Sequence, residues 1–374
     1  MEAAEHFNRG QMPVAMTGEL ANIIELSPPG ATEGIFESSA TRANPVIDRD
    51  PLETDRTRHG KTKLEVFTLE NGRHYEVVTG RPRHQRSDIP VLIGTALGTS
   101  VRGHNWHTML AMMDLGYPVV MVGPEGGHAR WPKSPGSLRQ FARNLFSIRL
   151  LETAKNYHEI LNETDGDDFY RTGAVVKTGE SRAACLTMPY IALSSKYDRE
   201  AVFSDAISPC FPIPKPIELN QTALGRLREV GAQVGSIAKE SAHIDLDKFL
   251  HYPKTINPNP HFLMHMVATV PTLVSGKAGE LARSIPKDAR IHNTHFVDDP
   301  WAFPDGWVEV FKDHPFVTHD HQPGDHGAIV KVETQQKRNT RFRDLRDELE
   351  ANNQDPNRVD WHNVYLGQTA IKAA

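Results

Sequence analysis

The sequence predicts an α/β fold, with a mostly parallel sheet, helices on both faces and an inserted helical cap. Three observations carry this expectation. Short apolar runs alternate with stretches whose apolar residues recur at helical spacing. A strand-like run leads straight into Gly179-Glu180-Ser181-Arg182-Ala183. The alternation then pauses once, over residues 206–268, before a strand-like run resumes.

Residues 1–60 are rich in Pro, Asp, Glu, Thr and Arg, and read as an irregular N-terminal arm. Residues 64–69 and 74–78 alternate in polarity around Asn71-Gly72, which predicts a hairpin. Residues 89–93, closed by Gly94, form the short apolar run of a buried parallel strand, and residues 118–122 and 174–177 repeat it. Between them, 106–115 reads as a helix, with Met109, Met112 and Met113 as core packing. Helical spacing also runs from Leu138 to Tyr157. After 201–204 come Pro209, Pro212, Pro214 and Pro216, then helical pieces, then a strand over 270–274. Residues 206–268 therefore read as a cap or lid inserted into a core made of 61–205 and 269–374.

The 374 residues carry 47 acidic and 42 basic side chains, a formal charge of −5. The charge is well mixed, which excludes a general nucleic-acid binder; the basic run 336–343 is followed at once by acids and reads as a solvated helix with close ion pairs. No run is apolar enough for a membrane span and the first residues lack a secretory pattern, so the expected location is cytoplasmic. Two cysteines, Cys185 and Cys210, are too few for a disulfide framework or a four-thiolate zinc site. Nineteen histidines invite a metal hypothesis, and predict a charge that rises below about pH 6.5.

The decisive segment is the Gly-x-Ser-x-Ala at 179–183. Small residues two positions either side of a serine are what a sharp strand–turn–helix elbow needs, since larger ones collide as the serine enters a strained backbone region. Here the chain resembles the α/β-hydrolase family, over residues 60–335, with Ala183 in place of the usual glycine. The resemblance implies a nucleophilic Ser181 and a serine esterase passing through an acyl-enzyme. It identifies Gly94-Thr95-Ala96-Leu97-Gly98-Thr99-Ser100 with the oxyanion loop, although Gly94-Thr95 replaces the usual His-Gly. The oxyanion hole would be the N–H of Arg182 with that of Thr95 or Ala96. A phosphate cradle is disfavoured, because the loop lacks a Gly-Lys-Ser/Thr ending and GxGxxG spacing.

In this family the order is serine, acid, histidine. Glu280, in a loop after the strand at 270–274, is the first choice of acid, with Asp205 as the alternative and Asp298 and Asp299 behind it. His326, in His326-Gly327-Ala328-Ile329, is the expected base, with His321 as the alternative. A rival reading is a metal-dependent hydrolase using His319, His321, Asp325 and His326, but the spacing departs from known ligand motifs and two histidines on a loop are usually solvated. His104, Trp106 and His128 follow strand ends and are candidate pocket residues. A noncatalytic hydrolase-fold protein serving binding or assembly is the alternative from another class. No cofactor is expected, the partner is a small acyl substrate, and a homo-oligomer stays open.

Overall fold

The computed structural model describes residues 45–95, 101, 105–123, 150–165, 173–209, 285–299 and 304–366. Among the described residues, nine strands build one sheet. In chain order they are β1 (Val46–Thr57), β2 (Gly60–Leu69), β3 (His74–Pro82), β4 (Val91–Gly94), β5 (Val119–Val122), β6 (Ala174–Glu180), β7 (Glu200–Ile207), β8 (Ile291–Phe296) and β9 (Val317–Gln322). Their lateral order is β1-β2-β3-β5-β4-β6-β7-β8-β9. The three pairings from β1 to β5 are antiparallel, and the five from β5 to β9 are parallel. Asn71-Gly72 turns the β2–β3 hairpin as the alternation predicts, with Gly72 at a φ of 77°.

The described helices are α1 (Asn105–Asp114), α2 (Leu150–Asp165), α3 (Arg182–Cys185), α4 (Thr187–Ser194), α5 (Pro304–Phe311), α6 (Val332–Ala351) and α7 (Trp361–Leu366). Side chains on a strand alternate between faces, so each strand feeds two cores. Leu92, Val120, Val122, Val175 and Ile291 pack with α2, α4 and Trp307 and Phe311 of α5. Val91, Ile93, Val119, Met121 and Val176 pack on the other face with the α1 methionines and with Phe342, Leu345 and Leu349 of α6. Both faces are covered, which explains why these central strands are continuously apolar. No helix among the described residues is long and apolar enough to cross a membrane.

The sequence expectation and the structure part at several places. Residues 46–57, placed in the irregular arm, form β1, the long outer strand of the sheet. The expected strand at 270–274 and all but the first residues of the expected cap lie outside the described residues. Strands β8 and β9 were not expected, and β8 is buried along its whole length despite reading Ile-His-Asn-Thr-His-Phe. His319 and His321 therefore stand on a strand, not on a loop.

Helix α6 is solvated on one face only. Arg338 and Arg341, about one turn apart, are both buried and reach down to the sheet: Arg338 Nη1 to Glu180 Oε1 at 2.6 Å and Arg341 Nη2 to Asp205 Oδ1 at 2.8 Å. All four charged groups are shielded from water, so each carboxylate depends on its guanidinium. Removing one partner strands the other. Arg341→Met is expected to destabilise the protein by about 3–5 kcal/mol in urea unfolding, and the double change Arg341→Met with Asp205→Asn to recover much of that loss.

Candidate active site

Ser181 sits where β6 ends and α3 begins, at φ 55° and ψ −124°, a region that side chains rarely adopt. Its N–H donates to the Ile207 carbonyl at 2.9 Å, which ties the turn to the end of β7. The neighbours explain the motif. A Cβ on Gly179 would stand 2.7 Å from the Ala183 carbonyl carbon and oxygen, and one on Gly94 would meet the Ala183 Cβ at 2.9 Å. Glycine at 94 and 179, and nothing larger than alanine at 183, let strand, turn and helix close on one another. Ser181 itself remains half-buried, with its side chain at the carboxyl edge of the sheet.

His326 opens a 3-10 turn, His326–Val330, after β9. Its Nε2 lies 3.1 Å from Ser181 Oγ, and its Nδ1 lies 2.8 Å from Asp299 Oδ2. Asp299 follows β8, and its side chain is fully buried. The Ser208 hydroxyl, just past β7, donates to the same Asp299 Oδ2 and stands 3.2 Å from His326 Nδ1. A hydroxyl, an imidazole and a carboxylate are thus linked in series across 145 residues of chain, with a second hydroxyl behind them.

Of the expected acids, Asp205 is elsewhere engaged: it holds Arg341, and Thr178 Oγ1 stands 3.5 Å from its Oδ2. Glu280 lies outside the described residues. The carboxylate that touches His326 is Asp299, which the sequence reading ranked behind both. His321, the alternative base, is exposed on β9 beside His295. The Thr95 N–H is not free for an oxyanion, because it extends the ladder to the Val122 carbonyl at 3.2 Å. Ala96, His104 and His128 lie outside the described residues. As the first residue of α3, Arg182 has no carbonyl of its own helix to which its N–H could donate. Trp106 borders a shallow pocket with Glu53, Asp55, Thr62, Leu64 and Val78, at the antiparallel edge. That edge begins three strand spacings from β6.

No protein-family model matches the sequence, and no curated protein does either. Solved structures do. Acetyl xylan esterase from Paenibacillus sp. R4 superposes with a TM-score of 0.51 at 13% identity, covering 89% of this chain and 99% of that one. Acetyl xylan esterase 1 from Thermoanaerobacterium sp. JW/SL YS485 gives 0.50 at 11% identity, covering 85% and 94%. The chain has an α/β-hydrolase fold.

Other polar groups of this hydrolase fold are buried close by. Lys177, on β6, is fully buried beneath the elbow, and its Nζ donates to the Ala183 carbonyl at 3.0 Å and to Thr187 Oγ1 at 2.9 Å. Burial pulls its pKa down to about 7. Cys185 is buried, with its thiol 3.4 Å from the Ser181 carbonyl. Histidines cluster where β8 meets β9: His295 Nε2 faces His319 Nδ1 at 3.2 Å, and His292 Nδ1 faces Thr318 Oγ1 at 2.8 Å. His319, His321, Asp325 and His326 do not converge, and no three metal-ligating side chains among the described residues are placed to hold an ion.

Burial, aided by neighbouring imidazoles, lowers His295 to about 3 and His319 to about 4, and holds His292 well below the ordinary value. His158, stacked between Tyr190 and Tyr197, is lowered to about 3, mainly by burial. These imidazoles stay neutral in the folded chain and take up protons only when it unfolds. Their folded pKa values lie below the unfolded one, so below about pH 6.5 the unfolded state binds more protons and stability falls with pH. The loss is about 1.4 kcal/mol per pH unit for each deeply buried imidazole, until its folded pKa is reached. Thermal midpoints measured from pH 7 to 4.5 should fall steeply, and His158→Phe should make that fall shallower.

Proposed function

We propose that the protein is a serine hydrolase that cleaves a carboxylic ester, or a related acyl bond, through an acyl-enzyme. The observation that carries this reading is the series Ser181 Oγ, His326, Asp299 at 3.1 and 2.8 Å, mounted on a strained elbow. A serine hydroxyl needs a base within hydrogen-bond reach, and the base needs a carboxylate to hold its tautomer. With Nδ1–H donated to Asp299, the Nε2 lone pair of His326 faces the Ser181 hydroxyl. Ser181 Oγ then attacks the substrate carbonyl as its proton passes to Nε2. The alkoxide of the tetrahedral intermediate is received by the Arg182 N–H and a second donor from the loop after β4, for which Ala96 is our choice. Collapse expels the alcohol, which takes the proton from His326. Water repeats the sequence on the acyl-enzyme and frees the acid.

Asp299 replaces Glu280 as the acid in this proposal, since its carboxylate is the one in contact with the imidazole. The imidazolium that forms during turnover gains from a carboxylate already shielded from water. Both fold neighbours are esterases, in keeping with acyl chemistry at this place in the fold.

A fluorophosphonate probe is expected to label the full-length protein at Ser181, with labelling insensitive to a chelator. Ser181→Ala should abolish labelling and lower the turnover of a p-nitrophenyl ester at least about a thousandfold with folding intact. Absence of labelling, with failure on a panel of acyl esters, would instead favour a noncatalytic scaffold. The acid is assigned by a second pair of variants. Asp299→Asn should cost about a thousandfold or more, because an amide can hold the imidazole in the wrong tautomer, whereas Glu280→Gln should leave turnover within a few-fold of the parent.

A further inference from the structure

The residue just past β7 occupies an unusual position. Ser208 is fully buried and adopts φ 48°, in the left-handed region, although it is not glycine. Its N–H donates to the Thr294 carbonyl at 2.7 Å, so the backbone is fixed by the last rung between β7 and β8. The turn directs the hydroxyl at Asp299 Oδ2, to which it donates, and leaves Ser208 Oγ 3.2 Å from His326 Nδ1. The two serines that stand on the carboxyl ends of neighbouring strands, Ser181 and Ser208, are thus both held at positive φ and both meet His326. One faces its Nε2 and the other its Nδ1.

From this geometry we infer that Ser208 is a positioning residue for the reaction proposed above: its hydroxyl fixes the Asp299 carboxylate in the orientation that holds His326 towards Ser181. Asp299 Oδ2 accepts from two directions, the Ser208 O–H and the His326 Nδ1–H, which leaves the carboxylate little freedom to rotate. A buried carboxylate without enough donors is costly to keep ionised. The Ser208 donor keeps it charged and aimed before substrate arrives, and its own lone pair lies against the Nδ1–H edge of the imidazole.

The inference rests on Ser181 and His326 being nucleophile and base, and the test separates the two ideas. The second-order rate of fluorophosphonate labelling is measured against pH for the full-length parent, Ser208→Ala and Ser208→Gly, alongside thermal unfolding. Labelling of the parent at Ser181 establishes the reading of the site; its absence defeats that reading irrespective of Ser208. Given labelling, both variants should react about ten- to a hundredfold more slowly, the range for loss of a hydrogen bond to a charged group. The acidic limb of their pH profiles should also move upward, because a carboxylate that has lost a donor is more basic and stabilises the imidazolium more strongly. Glycine is the discriminating variant, since it adopts φ 48° without backbone strain, and its thermal unfolding shows directly whether it folds. If Ser208 served only the fold, Ser208→Gly would keep the parent's labelling rate and pH profile, and that result would overturn the inference. Should Ser208→Ala fail to fold, Ser208→Gly decides alone.

Discussion

The site depends on how closely three pieces of backbone approach one another below Ser181. Gly94 on β4, Gly179 on β6 and Ala183 on α3 lie in such close contact that one added carbon at either glycine would meet Ala183 at 2.9 Å or less. This contact lets the chain reverse from strand to helix within a single residue, and that residue takes up the unfavourable backbone angles. The side chain of Ser181 is consequently lifted off the sheet, towards a histidine that arrives from the far end of the sequence. Lys177 adds to the same arrangement from underneath: its Nζ donates to the Ala183 carbonyl and to Thr187 Oγ1, so the short helix is pinned to the strand that leads into it.

A second layer of order comes from buried charge. Glu180, immediately before Ser181, and Asp205, near the end of β7, are each matched by an arginine of α6. Arg338 also reaches Thr108 of α1, at 2.5 Å. Ion pairs of this kind add less net stability than the same volume of hydrocarbon, but a wrongly docked helix would leave charges without partners. Their effect is to define one register between α6 and the sheet, and so to fix the two strands from whose ends Ser181 and Ser208 project.

The parts of this arrangement that were legible in the sequence are those governed by local chemistry. The β2–β3 hairpin follows from alternation around Asn71-Gly72, the inner strands from unbroken apolar runs, and the elbow from glycine and alanine two residues either side of Ser181. What was illegible depends on partners distant in the chain. In β8 two histidines, an asparagine and a threonine are buried among neighbours on β7 and β9, so hydropathy carries no trace of a strand. With β8 unseen, Asp299 had no strand end to stand on and ranked below Glu280. The arginines of α6 looked solvated because their carboxylates lie more than a hundred residues upstream. Ser208 had no motif at all. The histidine excess also takes on another meaning: several imidazoles are buried and uncharged, so they do not add to the protein's charge as pH falls while it stays folded.

The outer strand, β1, has a consequence for how molecules meet. It is largely exposed and reads Val-Ile-Asp-Arg-Asp-Pro-Leu-Glu-Thr-Asp-Arg-Thr, with irregular pairing on either side of the segment that contains Pro51. A sheet margin normally offers a row of unused amide and carbonyl groups to any extended peptide that drifts past. Here a proline interrupts the row of amides, the irregularities bend it, and charges of both signs project along it. A second molecule finds no flat, continuous margin on which to add a strand. Among the described residues the sheet ends at β1, and that margin is guarded against the stacking of copies that leads to fibres.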